Sequence, residues 1–282
     1  MTRNSVVVGV DGSADGDRAL DWAAAWAAAH GAPVHVLVAN PSLPSGLPFW
    51  AAEEAGSSEL NDVVADACRR VESHGASVTS QMVDVAPSPA LLDASRDARI
   101  VVVGARGHGA VGGLLIGSVS QHVSRHASCP VVVVREQADP QARRIVVGVD
   151  LSPGSQQALG FAFETASVMQ APLVAVQGWP DAVGRPLSGL GSATPGSVAE
   201  RVAAGERAIS EAVAGWREKY PDVSLTPEAV PVRPSRLLTD ASQRAALVVV
   251  GSRGRGGFTG LLLGSTSQAL LHHAYSPVAV VR

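Results

Sequence analysis

The residues best suited to chemistry in this 282-residue chain lie in two glycine-spaced loops of the form G-x2-G-x9-G-S. The first loop runs from Gly104 to Ser118 and the second from Gly251 to Ser265. Glycines let backbone N–H groups approach an anion without an intervening Cβ. A serine that opens a helix adds free amides and the positive end of the helix dipole. Both loops therefore predict phosphate binding.

The candidate phosphate ligands are the glycines and arginine of each loop and the first residues of the helix that follows. They are Gly104, Arg106, Gly107, Gly117, Ser118, Val119 and Ser120 in the first loop, and Gly251, Arg253, Gly254, Gly264, Ser265, Thr266 and Ser267 in the second. Arg106 and Arg253 are the recurring cations, and they would screen phosphate charge. Neither loop contains a G-x4-G-K-S/T lysine or a clearly placed general base, so fast phosphoryl transfer is not predicted.

A second polar group follows the first predicted strand of each half of the chain. It comprises Asp11, Gly12 and Ser13 in the first half and Asp150, Leu151 and Ser152 in the second. A carboxylate at the carboxyl end of a strand can accept hydrogen bonds from ribose hydroxyls or hold Mg²⁺ through water. The alternative is a helix cap, because Asp, Gly and Ser all cap helices well. The recurrence of the glycine loop in both halves favours the ligand role for Asp11 and Asp150.

The chain is an internal repeat. The segment VVVGVDGS from Val6 is matched by IVVGVDLS 139 positions later, and VVVGARGHG from Val101 is matched by VVVGSRGRG 147 positions later. Eight residues are therefore inserted between the second and fourth strands of the second copy. The Pro- and Gly-rich stretches 41–49 and 181–196 fit lids or partner surfaces as well as they fit plain connections. The insertion is expected in the second of them.

Each copy alternates predicted strands with predicted helices. In the first copy, near-continuous Val, Ile and Leu runs predict strands buried on both faces, at 5–10, 34–39, 77–83, 100–104 and 130–135. Apolar stripes predict helices at 15–30, 53–74, 88–97 and 118–126. The predicted fold class is α/β, with two tandem doubly wound five-stranded parallel-sheet domains.

The predicted domains are residues 1–135 and 144–282, joined by a linker at 136–143 that has no apolar periodicity. A linker of this length reaches about 28 Å at most. Such a reach suits a pseudo-two-fold pair of copies lying side by side. The apolar last strands of the two copies are then expected to meet.

Composition and charge exclude several classes of protein. The chain is 46% hydrophobic and 17% charged, which is typical of a soluble globular protein. A net charge of −3 without a basic run argues against nucleic-acid binding. Two cysteines without a CxxC pair argue against a disulfide framework and favour a reducing cytoplasm. No apolar run has the length of a membrane span.

Both glycine loops resemble those of the universal stress protein family, whose ATP-binding members carry G-x2-G-x9-G-S/T after the fourth strand. Both copies match, so the chain resembles the tandem-domain form of that family. The resemblance implies the strand order 3-2-1-4-5, which makes strands one and four neighbours. It also implies an ATP site in each copy, where the strand-one aspartate and the glycine loop bind the nucleotide and the backbone near Ala39 and Gly178 binds adenine.

The resemblance further implies a stress or dormancy role, little or no ATP hydrolysis, and a homodimer of two-domain chains paired through the last strand. We therefore expect an ATP-binding stress-response regulatory protein with one nucleotide site in each copy. One alternative is a slow ATP-hydrolysing or nucleotidyl-transferring enzyme with Asp11 and Asp150 as metal ligands. Another is a scaffold whose loops bind nothing.

Three further motifs are better explained without a ligand. A GxGxxG pattern at 107–112 follows strand four rather than strand one and is not repeated in the second copy. His122 and His126 are four residues apart but lack the glutamate of HExxH, so a helix-surface or interface position is expected. Trp22 and Trp26 have no cations among them, which favours core or interface packing over base stacking.

Overall fold

The structure is a computed structural model that describes residues 4–40, 49–107, 115–180, 197–255 and 262–282. Elements of the first copy are β1 (Val6–Gly9), α1 (Ala14–His30), β2 (Val34–Ala39), α2 (Phe49–Ser73), β3 (Val78–Val83), α3 (Pro87–Ala94), β4 (Ile100–Gly104), α4 (Ser118–His126) and β5 (Val131–Val134). Elements of the second copy are β6 (Ile145–Gly148), α5 (Pro153–Met169), β7 (Leu173–Gly178), α6 (Val198–Ala212), α7 (Ala214–Lys219), β8 (Leu225–Val230), α8 (Pro234–Ser242), β9 (Leu247–Gly251), α9 (Ser265–His273) and β10 (Val278–Val281).

The strands form one ten-stranded sheet in the order β3-β2-β1-β4-β5-β10-β9-β6-β7-β8. Within each copy all strand pairs are parallel and follow the order 3-2-1-4-5. The predicted α/β class and doubly wound topology are confirmed. Helices cover both faces of the sheet, so the strand centres are buried among apolar side chains on either side.

The two halves of the sheet meet through antiparallel pairing of β5 with β10. Val131, Val132 and Val133 lie opposite Val280, Ala279 and Val278, and all six side chains are buried. The expected meeting of the two last strands is therefore confirmed, within a single chain. The last strands, through which two chains were expected to pair, already pair with each other. A homodimer of whole chains would therefore need a different surface.

The outermost strands differ from the prediction of strands buried on both faces. Four consecutive central residues of β3 are exposed, and the second and fourth residues of β8 are exposed. Both strands lie at an edge of the sheet and have a neighbour on one side only. The prediction was wrong for 77–83, where Thr79, Ser80 and Gln81 supply polar side chains that tolerate water.

Two equivalent arginines connect each last strand to a helix of the other copy. Arg135 follows β5 and donates a hydrogen bond of 2.6 Å to the carbonyl of Leu271 in α9. Arg282 follows β10 and donates one of 2.9 Å to the carbonyl of Ser124 in α4. Both the donors and the acceptors are 147 positions apart, as the pseudo-two-fold arrangement requires.

On the opposite face of the sheet, α1 and α5 contact each other through Trp26. Its indole Nε1 donates to Thr165 Oγ1 at 3.5 Å, and Thr165 is the residue 139 positions later, its own counterpart. The ring also stacks on Phe161 at 6.3 Å between centroids. The expected core or interface packing of Trp26 is thereby confirmed.

The insertion in the second copy lies between its second and third strands. Strands β2 and β7 are 139 positions apart, whereas β3 and β8 are 147 apart. The Pro- and Gly-rich stretches at 41–48 and 181–196 lie outside the described residues, so their expected role as lids or connections stays a prediction. Among the described residues, none of the helices combines the length and hydrophobicity that a bilayer span requires.

We expect Trp26→Ala to lower the free energy of unfolding by about 3–5 kcal/mol. The side chain is 2% exposed, and its loss would leave a cavity between the two copies. Urea unfolding followed by circular dichroism measures the change. Trp22→Ala is the matched control, because Trp22 lies one turn earlier and is only partly buried. Equal losses for the two variants would contradict the role assigned to Trp26.

Candidate functional site

Each copy has a cleft where its first and fourth strands lie side by side. In the first copy, β1 pairs with β2 on one side and with β4 on the other, and in the second copy β6 pairs likewise with β7 and β9. The helix after β1 packs on one face of the sheet and the helix after β4 on the other. The two connections diverge, which leaves a crevice at the carboxyl ends of the strands.

The first cleft has a volume of about 490 Å³. Nine of the residues predicted from sequence line it: Asp11, Ala39, Gly104, Arg106, Gly107, Gly117, Ser118, Val119 and Ser120. The sequence reasoning missed its apolar wall, which includes Leu37 from β2, Leu91 from α3 and Ile116 before α4. The cleft therefore has a polar end at the glycine loop and an apolar end near β2 and α3.

The second cleft has a volume of about 580 Å³. It likewise brings together nine predicted residues: Asp150, Gly178, Gly251, Arg253, Gly254, Gly264, Ser265, Thr266 and Ser267. Leu237 and Leu238 of α8 form its apolar wall, and Trp179 and Arg255 also line it. None of these four was predicted, because the elements that carry them have no motif to set them apart.

The glycine loop leads into a helix that no side chain caps. The cap positions of α4 and α9 are Gly117 and Gly264, and neither helix start has a capping hydrogen bond from a side chain. The first amides of a helix have no acceptor within the helix. They point into the cleft together with the positive end of the helix dipole, which is the arrangement that binds anions.

The other helix start in each copy is capped by the chain itself. Ser13 Oγ accepts a hydrogen bond from the Gly16 amide at 3.1 Å, and Ser152 Oγ accepts one from the Ser155 amide at 3.2 Å. The serines of the strand-one segments therefore act as helix caps, which was the alternative to a ligand role. Gly12, Ser13, Leu151 and Ser152 are not among the residues that line the clefts, and their contact with the nucleotide stays a prediction.

The aspartate of each strand-one segment accepts hydrogen bonds, and in the second copy these bonds connect two loops. Asp150 Oδ1 accepts a hydrogen bond from the Ser152 amide at 3.0 Å, and its Oδ2 accepts one from the Arg255 amide at 2.9 Å. Asp11 Oδ1 accepts bonds from the amide and the hydroxyl of Ser13, at 3.1 and 2.6 Å. In the second copy the carboxylate therefore fixes the glycine loop relative to the end of β6.

These hydrogen bonds also determine the ionisation of Asp150. Burial on its own would raise the pKa of the carboxyl group. Hydrogen bonds from the hydroxyl and amide of Ser152, from the Arg255 amide and from the Ser155 hydroxyl outweigh burial, so the pKa lies below its ordinary value. The carboxylate is thus ionised at neutral pH, and it faces the cleft.

The first two glycines of each motif lie against other parts of the protein, the first against backbone and the second against the strand-one aspartate. A Cβ on Gly104 would lie 2.6 Å from the backbone carbon of Asp15, and one on Gly251 would lie 2.7 Å from that of Gly154. A Cβ on Gly107 would lie 2.3 Å from Asp11 Oδ2. These positions allow β4 to pack against α1 and the loop to lie against the aspartate. The sequence reasoning had assigned them to phosphate alone.

The glycine at the helix start has more space around it. A Cβ on Gly264 would lie 3.6 Å from its nearest neighbour, an ordinary contact, and one on Gly117 would lie 3.3 Å from the Ala105 carbonyl oxygen. The serines two residues into each helix contact the protein instead. Ser120 Oγ donates to the Gly104 carbonyl at 2.5 Å and Ser267 Oγ to the Gly251 carbonyl at 2.7 Å, so these hydroxyl groups fasten helix to strand.

Other motifs from the sequence lie away from the clefts. His122 and His126 stack on one another along α4 at 4.3 Å between ring centroids. Within the described part of the chain, no group of three or more His, Cys, Asp or Glu side chains is placed to hold a metal ion. Most of the GxGxxG pattern, at 108–112, lies outside the described residues.

The repeated clefts and loops agree with a comparison of the whole sequence with known families. The model of the universal stress protein family matches residues 2–135 and again 141–282. The chain belongs to the universal stress protein family. It carries two domains of that family in tandem, as its internal repeat predicts.

Similar universal stress proteins come from mycobacteria. One from Mycobacterium tuberculosis strain H37Rv is 40% identical over 295 residues, covering 99% of this chain and 97% of the relative. One from Mycolicibacterium smegmatis is 38% identical, covering 100% of this chain and 98% of the relative. The crystal structure of a universal stress protein from Archaeoglobus fulgidus has a TM-score of 0.73 at 18% identity, covering 100% of this chain and 97% of that one. This structure supports the fold alone.

We expect the lowered pKa of Asp150 to affect stability in acid. The unfolded group has an ordinary pKa of 3.8, so the ionised carboxylate stabilises the fold above that pH. The contribution is lost as the pH falls through the lower pKa of the folded state. The free energy of unfolding in urea should thus fall less between about pH 5 and about pH 3 for Asp150→Asn than for the wild type.

A matched control for this pH dependence is Asp93→Asn, since the Asp93 side chain is 79% exposed and lies on the surface of α3. The Asp93 variant should keep the pH dependence of the wild type. If the free energy of unfolding of Asp150→Asn fell with pH as steeply as that of the wild type, the hydrogen bonds of Asp150 would not stabilise the folded chain.

Proposed function

We propose that this universal stress protein is an ATP-binding regulatory protein of the stress response, with one nucleotide site in each cleft. The observation that carries the proposal is the uncapped start of α4 and of α9, each facing a cleft behind a glycine loop. Free amides at a helix start favour phosphate. The same arrangement in both domains supports two sites.

The phosphates would lie at the helix starts, near Ser118 and Ser265, and the adenine would lie at the apolar end of each cleft. Backbone groups at the ends of β2 and β7, at Ala39 and Gly178, line that end. Leucines of α3 and α8 form an apolar surface next to them. A flat, largely apolar base fits such a surface, while its polar edge can pair with the backbone.

The expected affinity is in the micromolar range. Hydrogen bonds to a charged group contribute about 1.5–3 kcal/mol each. Three or four of them approach the roughly 8.2 kcal/mol of a micromolar complex before ordering costs are counted. Any Mg²⁺ would enter with the nucleotide, held by its phosphates and, through water, by Asp11 or Asp150. This affinity suits a protein that responds to changes in nucleotide concentration.

We further propose that the domains are residues 1–135 and 144–282 and that the protein acts in the cytoplasm. Cys68 and Cys129 are both free thiols, which is consistent with a reducing compartment. A homodimer of two-domain chains would use a surface other than β5 and β10, because these strands pair with each other.

The binding proposal is tested by placing a negative charge at both helix starts. Ser118 and Ser265 are exposed first residues of α4 and α9, where an acidic side chain favours the helix but repels phosphate. We expect Ser118→Glu with Ser265→Glu to weaken ATP binding by at least about a hundredfold in isothermal titration calorimetry, because a carboxylate next to phosphate repels it by several kcal/mol near a protein surface. The matched control is Ser118→Gln with Ser265→Gln, which has nearly the same shape without the charge. No ATP binding by the wild type, or equal binding by the Glu and Gln variants, would refute the proposal.

We expect ATP turnover to be slow, because neither glycine loop contains a lysine that could stabilise a transferred phosphoryl group. A phosphate-release assay with the wild type should give fewer than about one turnover per second, the low end of typical enzymes. Faster turnover that is lost in Asp11→Asn with Asp150→Asn would instead support an ATP-consuming enzyme.

A further inference from the structure

The two clefts differ at one position that is next to the glycine loop. The second residue of α1 is Asp15, and the second residue of α5, 139 positions later, is Gly154. Both helices begin after a capping serine and pack against the end of the fourth strand of their copy. At this position the first copy thus has a carboxylate beside its glycine loop, and the second copy has none.

In the first copy, Asp15 pairs with the loop arginine. The Asp15 side chain is 4% exposed, and its Oδ2 accepts hydrogen bonds from the amide of Arg106 at 3.1 Å and from its Nε at 3.2 Å. Its Oδ1 also accepts a bond from Arg18 at 2.7 Å. The amide and guanidinium of Arg106 are therefore already bonded to a carboxylate.

In the second copy the loop arginine has no such partner. A Cβ on Gly154 would lie 2.8 Å from the Arg253 carbonyl oxygen, so a side chain would fit only if the loop moved. Within the described residues, no carboxylate lies within ion-pair distance of Arg253. Arg255 also lines this cleft, and position 108 of the first copy holds a histidine in its place.

Each loop arginine also acts on the arginine that follows the last strand of its copy. Burial lowers the pKa of Arg282, and the positive charge of Arg253 lowers it further. Burial also lowers the pKa of the equivalent Arg135, to about 10, but there the charge of Asp15 opposes that of Arg106. The loop arginine of the second copy thus repels its neighbour without a compensating carboxylate.

We infer that the two clefts are unequal nucleotide sites, and that the second cleft binds the triphosphate of ATP more tightly because Asp15 accepts hydrogen bonds from Arg106 in the first and so competes with the phosphates for it. This inference rests on the proposed function. Asp15 acts through Arg106 and is a specificity-determining residue of the first site. Its effect should increase with the number of phosphates, because a triphosphate carries more negative charge than a monophosphate.

The test measures each cleft in the full-length chain with the other one closed. Ser265→Glu leaves the first cleft open, and Ser118→Glu leaves the second open. Calorimetry should give an ATP affinity roughly tenfold higher with Ser118→Glu than with Ser265→Glu, and a smaller ratio for AMP. Equal ATP affinities in the two backgrounds would overturn the inference while leaving the proposed function intact, whereas the absence of ATP binding in the wild type would remove both.

A second arm tests Asp15 itself. Added to Ser265→Glu, Asp15→Asn should raise the ATP affinity of the first cleft roughly fivefold and that of AMP by less. The matched control is Asp17→Asn, in the same helical turn, because Asp17 pairs with Arg70 of α2. An Asp15 variant that binds ATP no better than the Asp17 variant would overturn the inference.

A third arm stays informative if the Asp15 variant fails to fold. With the second cleft open, Arg253→Ala should weaken ATP binding roughly tenfold. With the first cleft open, Arg106→Ala should weaken ATP binding by no more than about threefold, since Arg106 already donates hydrogen bonds to Asp15. Equal losses for the two arginine variants would show that Asp15 does not distinguish the sites.

Discussion

The parallel ladder between β1 and β4, repeated between β6 and β9, is the contact on which both clefts depend. The two strands are neighbours, yet their chains continue to opposite faces of the sheet. Two helix starts therefore point toward one gap. The chain caps one of them with its own serine and leaves the other uncapped. If β1 and β4 were not adjacent, the glycine loop would be separated from the aspartate.

Much of this arrangement can be predicted from sequence because the signals are local and occur twice. The start of α4 at Ser118 and the bounds of β2 and β4 agree with the prediction, since glycines and valine runs mark them clearly. The topology follows from alternating strands and helices, and the repeat indicates the pairing of last strands. Where the local pattern was polar, as in β3, the sequence pointed to a strand but the prediction misjudged its burial.

The rest depends on contacts between distant segments, which a single sequence does not reveal. Leu91 and Leu238 look like ordinary core residues of short helices, and only the packing of α3 and α8 brings them to the clefts. The role of Gly104 is likewise hidden, because the sequence does not distinguish a glycine needed by a ligand from one needed by a neighbouring helix. Leu151 is a further case. It occupies the left-handed region, with φ of 62°, where the first copy has Gly12, and its packing against the core offsets that strain.

The antiparallel seam between β5 and β10 has a consequence beyond shape. In a dimer of separate chains, the pairing of two such domains would depend on protein concentration, and subunits could exchange with those of related proteins. Here the segment between β5 and β6 makes the pairing intramolecular, with a high effective concentration at any dilution. The two domains therefore remain together as a fixed pair. Because each domain has its own stretch of the sequence, the two domains are also free to evolve differently, which identical subunits cannot do.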